Sequence, residues 1–264
     1  MAFMASKQAL EEAGIDALKV DAIIVATSTP DNPFPATATR VQALLGASNA
    51  FAFDINAACS GFVYALSIAD QFVRAKGSKT IVVIGAERMS SIVNWEDRST
   101  CVLFGDGAGA FVLQAEESES GIYSNHLFSN GEFYDALYVD TKCAEPNKSG
   151  HVVMNGREIF KQAVNRIGEA VEAALDFHKI NVDQIDWLVP HQANIRILKG
   201  ICEHFNFSFD KVILTVDKHA NTSAASIPLA FKDGVKTGRI KKDQWVLFES
   251  FGAGLTWGSN LIRY

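Results

Sequence analysis

Val20-Asp21-Ala22-Ile23 recurs as Val182-Asp183-Gln184-Ile185, and each copy leads into an apolar run, Ile23-Ile24-Val25-Ala26-Thr27 in one and Ile185-Asp186-Trp187-Leu188-Val189 in the other. Runs of that length and composition predict strands. The offset that carries Val20 to Val182 also carries Cys59 to Asn221. Each of these polar residues opens a small-residue segment read as a helix, Cys59-Ser60-Gly61-Phe62 and Asn221-Thr222-Ser223-Ala224, and both predicted helices end near glycine, at Gly77 and Gly238. The next runs, Thr80-Ile81-Val82-Val83-Ile84 and Gln244-Trp245-Val246-Leu247-Phe248, correspond at nearly the same offset, as do the Gly-rich segments around Gly107 and Gly254. Self-similarity at a fixed offset marks a repeated unit. The chain therefore reads as two copies of one α/β unit, residues 1–120 and residues 121–264.

The segments between these landmarks fit the same scheme. A helix is predicted from Ser6 to Ala13 with Gly14 as its stop, and another from Thr37 to Leu45 after the Pro-rich loop Pro30-Asp31-Asn32-Pro33-Phe34-Pro35. Gly105-Asp106-Gly107-Ala108-Gly109-Ala110 enters a predicted strand Phe111 to Gln114, and the Ser-, Asn- and Gly-rich stretch 115–155 reads as the connection between halves. Phe160, Val164, Ile167, Val171 and Leu175 form one helical stripe, read as core. Alternating strands and helices predict a layered α/β architecture with largely parallel sheets.

Composition bounds the function. With 264 residues and 48% of them apolar, the chain can bury a large core. A net charge of −6 without long runs of like charge argues against broad binding of nucleic acid or of an anionic membrane. The cysteines at 59, 101, 143 and 202 lack metal-ligand or disulfide-framework spacing, which points to a reducing, cytoplasmic setting. Met1-Ala2-Phe3-Met4-Ala5-Ser6-Lys7 has no secretory leader pattern, and no apolar run is long enough to span a bilayer.

Three residues carry candidate chemistry. Cys59 follows the strand-like run ending Asp54-Ile55 and starts a helix marked by Phe62, Leu66, Ala69 and Val73. A helix N-terminus favours thiolate and can lower a cysteine's pKa from about 8.5; the plain alternative is a small buried hydrophobe. His191 ends the repeat-two strand in Val189-Pro190-His191-Gln192-Ala193-Asn194, and ligands of open α/β folds collect beyond the carboxyl ends of strands. His126, His151, His178 and His204 lie in polar or helical contexts, and His219 reads as a loop-shaping residue. Asn221 alone would be an N-cap; its correspondence with Cys59 makes it a site candidate. A thiol that takes an acyl group, with an imidazole and an amide donating to an enolate oxygen, suits decarboxylative carbon–carbon bond formation and calls for neither a metal nor a redox cofactor. A papain-like cysteine hydrolase also runs Cys, His, Asn with a comparable Cys-to-His separation, yet the Gly-Ser-Cys-Trp type of segment is absent here.

The motifs Ala57-Ala58-Cys59-Ser60-Gly61-Phe62, Phe104-Gly105-Asp106-Gly107-Ala108-Gly109, Trp187-Leu188-Val189-Pro190-His191-Gln192-Ala193-Asn194, Asn221-Thr222-Ser223-Ala224-Ala225-Ser226 and Thr256-Trp257-Gly258 resemble the 3-oxoacyl-acyl-carrier-protein synthase III family of condensing enzymes, from one end of the chain to the other. The resemblance implies a thiolase-like α/β fold with duplicated halves in five α-β-α-β-α layers, and a homodimer that condenses an acyl-CoA primer with malonyl-acyl-carrier protein. It implies Cys59 as nucleophile, His191 and Asn221 as the decarboxylating pair, and the N–H groups of Cys59 and Ala253 as an oxyanion hole. Arg98 matches a residue at the adenine end of coenzyme A; Gly156, Phe160, Ala193 and Asn194 match positions along the pantetheine channel. Lys161 and Arg196 match cations that meet the carrier protein, and Phe34 matches a tip that closes the partner's acyl pocket. Alternatives within this reading are a polyketide-type condensing enzyme and an inactive fragment. Ala253 and Ala220 stand where the family has glycine, so strain or a shifted Asn221 amide is expected. The resemblance also implies a strand and loop ahead of the first helix, where Met1 falls. The resemblance takes that strand as central in its sheet and the segment after it as the source of an Arg and a Trp for nucleotide binding, so the chain is expected to be poorly stable and to bind coenzyme weakly.

Overall fold

A computed structural model describes residues 1–140 and 150–264, so Cys143 lies outside the described residues. In chain order it contains α1 (Ala2–Ala13), β1 (Ala22–Ala26), α2 (Thr37–Leu45), β2 (Phe51–Ile55), α3 (Gly61–Arg74), β3 (Thr80–Arg88), β4 (Asp106–Gln114), β5 (Gly121–Ser129), β6 (Leu137–Asp140), β7 (His151–Met154), α4 (Gly156–His178), β8 (Trp187–Pro190), α5 (Ile195–Phe205), α6 (Val216–His219), α7 (Ser226–Lys236), β9 (Trp245–Gly252) and β10 (Thr256–Arg263).

The continuous apolar run in β3 is buried on both faces, and that is what the layers require. Ile81 and Val83 point into one core with α3, while Val82 and Ile84 point into another beneath α1 and α2. Buried strands with no polar face are the mark of a sheet covered on both sides. The first sheet runs β2-β1-β3-β4 and the second β5-β10-β9-β8. Between them lie α3 and α7, whose core includes Phe62, Leu66 and Ile227 together with Phe248 and Ile262 of the second sheet. Beyond the second sheet, α4 and α5 pack on Leu188, Leu247 and Trp257. The order is thus helix, sheet, helix, sheet, helix. Phe62, Phe111, Phe231 and Phe248 meet edge-on or tilted across the middle layer. Each fully buried side chain of this size contributes about 1.5–3 kcal/mol.

Several expectations need correction. The sheets are mixed: β1 is parallel to β2 and β3, and β8 to β9, but β4, β5 and β10 run antiparallel to their neighbours. The Gly-rich run 105–110 does not merely enter a strand; Asp106–Gln114 is the strand. Gly107 and Gly109 face α7, where an added Cβ would come within 2.9 Å of Leu229 and 2.8 Å of Pro228, so glycine lets that helix lie close. The stretch 115–155 holds β5, an integral strand of the second sheet. On α4 the buried stripe is Ile159, Ala163, Ile167, Ala170 and Ala174, and Phe160, read as core from its spacing, is 43% exposed. α1 begins at Ala2 instead of Ser6, and the helix after Asn221 starts only at Ser226, behind a 3-10 turn at Ser223–Ala225.

The largest correction concerns the strand expected ahead of α1. By the duplication, β1, β3 and β4 correspond to β8, β9 and β10, and the remaining strand of the second sheet, β5, lies at its edge against β10. A counterpart in the first sheet therefore belongs beside β4, at the edge, and not in the centre. The residues present keep β2-β1-β3-β4 as an unbroken ladder, with Ile23, Val25, Val82 and Ile84 buried against α1 and α2.

Candidate active site

Cys59, His191 and Asn221 come from different elements and are all buried. Cys59 lies in the turn Ala58–Ser60 between β2 and α3. Ala58 before it holds φ 47, and its N–H donates to Asn56 Oδ1 at 3.1 Å. His191 leaves the carboxyl end of β8, with its N–H donating to the Glu249 carbonyl at 2.8 Å. Asn221 is fixed by a bridge to the segment before β4: its N–H donates to the Leu103 carbonyl and its carbonyl accepts from Gly105, each at 2.9 Å.

Ser223 is the residue on which the three converge. Its N–H donates to Asn221 Oδ1 at 2.8 Å; its side chain faces the Cys59 thiol and its carbonyl faces the His191 ring. With Oδ1 occupied, the Asn221 Nδ2 protons are the end of the amide left for a ligand. The His191 Nδ1 sits 2.7 Å from Ser226 Oγ, which also accepts the Gln192 N–H at 3.3 Å. The hydroxyl can donate to Nδ1 or accept from it; in the tautomer in which it donates, the ring proton lies on Nε2.

Burial decides the protonation states. It pushes the Cys59 thiol up to about 12, with the Glu87 charge adding to it, and the Ser223 side chain and the cysteine's own N–H oppose it. The helix end thus does not deliver a resting thiolate; desolvation outweighs it. Burial likewise pushes His191 down to about 4, which leaves a neutral imidazole at ordinary pH. Both states suit a site that binds an acyl thioester and donates to an enolate.

The remaining sequence candidates fall into groups. Neither the Cys59 nor the Ala253 N–H donates to a protein oxygen among the described residues. The positive φ of the closing turn, 134°, falls on Gly254, so Ala253 is not the strained residue that its Cβ suggested. Ala220 is strained: it holds φ 57 and ψ −160. Replacing it with glycine removes strain of about 1–3 kcal/mol against a glycine entropy cost of about 0.5–1 kcal/mol. The expected net gain is about 1 kcal/mol, a rise of about 2–4 °C in thermal midpoint; a lower midpoint would show that the turn tolerates alanine without strain.

Gly156, Phe160 and Lys161 lie on the first turns of α4, and Ala193, Asn194 and Arg196 at the start of α5, beside His191. Asn194 caps α5, accepting from the N–H groups of Arg196 and Ile197 at 2.9 and 3.1 Å. Lys161, Arg196 and Arg98 are exposed, Arg98 in the loop between β3 and β4. Phe34, 85% exposed, lies in the Pro-rich loop. Sequence reasoning missed Ser223, Ser226 and Gln192. The Gln192 amide is fully used: Nε2 donates to the Pro190 and Ile213 carbonyls and Oε1 accepts from Thr215 and Val216, tying the His191 loop to the segment that leads to Asn221. Their signal lay in the motifs themselves, as polar residues inside segments that fold as core.

Comparison with known proteins gives the family. The sequence model described as 3-Oxoacyl-[acyl-carrier-protein (ACP)] synthase III matches residues 53–131, and the model of that family's C-terminal part matches residues 175–264. A beta-ketoacyl-[acyl-carrier-protein] synthase III of Paramagnetospirillum magneticum is 53% identical over 268 residues, covering 100% of this chain and 83% of its own length. The crystal structure of 3-oxoacyl-[acyl-carrier-protein] synthase III from Aquifex aeolicus superposes with a TM-score of 0.96 at 45% identity, over 100% of this chain and 83% of that one. The priming beta-ketosynthase of a polyketide pathway superposes with 0.94 at 33% identity, over 100% and 80%. The fold is thiolase-like, and the chain belongs to the 3-oxoacyl-[acyl-carrier-protein] synthase III family of acyltransferases.

Proposed function

We propose that this protein joins an acyl-CoA primer, acetyl-CoA in the simplest case, to malonyl-acyl-carrier protein, releasing carbon dioxide and coenzyme A and initiating fatty-acid synthesis. The observation that supports the reading is the pairing at Ser223 and Ser226: Asn221 Oδ1 is engaged, which leaves its Nδ2 protons for a ligand, and His191 Nδ1 is paired with Ser226 Oγ, so that with the ring proton on Nε2 both groups offer N–H donors. The Cys59 sulfur attacks the thioester carbonyl; its proton leaves with the coenzyme A sulfur, and the N–H groups of Cys59 and Ala253 stabilise the oxyanion. Malonyl thioester then loses carbon dioxide while the Asn221 amide and the His191 Nε2–H hold the enolate oxygen. The enolate carbon attacks the acyl-cysteine carbonyl, the carbon–sulfur bond breaks to release the Cys59 thiolate, and a proton from solvent returns it to the thiol.

The half-buried Ala193 and Asn194, with Gly156 and the exposed Phe160, flank a pantetheine path toward His191, and Arg98 meets the nucleotide end. Lys161 and Arg196 are exposed cations on an otherwise acidic chain, suited to steering an acidic carrier protein. Phe34 and Phe51, large, apolar and exposed on and near the edge strand β2, favour a homodimer through that side, with Phe34 reaching the partner's acyl pocket. The direct test is the intact mass of the purified chain after incubation with acetyl-CoA, beside Cys59→Ala. An acetyl adduct present in the first and absent in the second is expected, on a particle of twice the chain's 28.7 kDa by light scattering. Folded wild type that takes neither acetyl nor any longer acyl group would sink the reading.

A further inference from the structure

Glu87 is the charged residue at the end of the apolar run in β3, and it is 1% exposed. Among the described residues no cation partners it; its carboxylate is held by donors from both halves of the chain. It accepts from the Ser28 N–H at 3.1 Å, from Thr29 Oγ1 at 2.6 Å and from Thr27 Oγ1 at 3.4 Å on one side, and from Ser223 Oγ at 3.1 Å on the other. Burying a carboxylate without a countercharge costs free energy: burial pushes the Glu87 carboxyl above its ordinary pKa, and the hydrogen bonds from Thr29, Ser28, Ser223 and Thr27 oppose that only in part. The reason for the placement lies one bond further out. Ser28 Oγ donates to Asn56 Oδ1 at 3.0 Å, the same oxygen that takes the Ala58 N–H just before Cys59. Ser223 in turn holds Asn221 Oδ1. Ala58 and Ser223 both stand at positive φ, 47° and 50°, a conformation that non-glycine residues keep only where the surroundings fix it.

We propose that Glu87 is a positioning residue that ties the Cys59 turn to the Asn221 turn and so sets the spacing at which nucleophile and amide meet. It touches no substrate. The proposal rests on the acyl-transfer reading above and adds a residue that acts on both half-reactions. Burial is the main reason the Cys59 thiol is pushed up, and the Glu87 charge stands close enough to add to it. Among the described residues, few other ionisable groups stand around that turn. His191 is neutral, and Glu249 of β9 lies near Cys202 of α5. Asp70 and Arg74 pair at the far end of α3, Arg263 sits at the far end of β10, and the 223–225 turn has no ionisable side chain.

The test uses the full chain as wild type, Glu87→Gln and Glu87→Asp. Glutamine keeps the volume but turns one acceptor into a donor facing donors; aspartate keeps the charge but falls a methylene short of the brace. In folded protein, matched by thermal midpoint, both variants are expected to slow acetylation of Cys59 and decarboxylation of malonyl-acyl-carrier protein by about 10²-fold, with KM little changed, as sub-ångström misplacement does. Alkylation of Cys59 by iodoacetamide separates charge from brace: its pH midpoint should move down in Glu87→Gln and stay at the wild-type value in Glu87→Asp. Wild-type rates in both variants, loss confined to one half-reaction, or loss that merely tracks the unfolded fraction would each overturn the proposal. Alkylation needs no acyl donor. Wild type that alkylates at Cys59 yet takes no acyl group would therefore count against the acyl-transfer reading, and the alkylation midpoints would then decide the role of Glu87 alone.

Discussion

Enzyme carrying His191→Ala is expected to accept the acyl group on Cys59 at close to the wild-type rate and to lose decarboxylation of malonyl thioester by about 10²–10³-fold, the usual cost of removing one donor at a developing oxyanion. The two half-reactions separate because the acyl oxyanion is met by backbone N–H groups, whereas the enolate oxygen meets the imidazole. Single-turnover release of labelled carbon dioxide from pre-acylated enzyme measures the effect; an unchanged rate removes His191 from the role. The pH dependence follows from burial. With its pKa pushed down from 6.5 to about 4, the ring stays neutral and decarboxylation should hold level from neutral pH to about 5, then fall as the pH approaches 4. Stability moves in the same direction. The unfolded chain binds a proton at this histidine near 6.5 and the folded chain only near 4, so between those values the unfolded state holds more protons. The residue's contribution is present above 6.5 and is lost as the pH falls toward 4. His191→Ala should lose that part of the acid sensitivity.

The three candidate residues stand out in the sequence because each sits at a boundary that sequence marks well: an apolar run ending just before Cys59, a strand ending at His191, and the offset that pairs Cys59 with Asn221. The five-layer fold was legible for the same reason, since both copies of the unit keep their strand and helix periods. What stayed hidden depends on distances between segments far apart in the chain. Glu87 and Ser223 are 136 residues apart and share one hydrogen bond; nothing local to either announces it. The thiol's high pKa was hidden too, because a helix start is visible in sequence while the depth at which it is buried is not. The edge position of β5 likewise depends on which strand β10 chooses as its second neighbour, a matter of register across the whole sheet.

Gly252→Ala is the substitution expected to do most damage with one added methyl group. Gly252 ends β9 directly behind the nucleophile, and a Cβ built there would stand 2.8 Å from the Cys59 N, 3.0 Å from the Ser60 N and 3.1 Å from the Cys59 Cβ. Two of these neighbours are backbone atoms in a turn already strained at Ala58, so none can swing aside as a flexible side-chain end would. The turn is also pinned from behind, where Ser60 Oγ donates to the Thr256 carbonyl at 2.8 Å and Thr256 Oγ1 donates to the Ala57 carbonyl at 3.1 Å. Either β9 retreats or the cysteine turn moves out of line with the Ala253 N–H. Overpacking of this kind costs about 1–3 kcal/mol of stability, and a displaced nucleophile costs about 10²-fold in acyl transfer. Gly77→Ala serves as the control, because its added Cβ would meet nothing closer than 3.6 Å. A Gly252→Ala enzyme that acetylates Cys59 at the wild-type rate would show that the nucleophile and the end of β9 move independently.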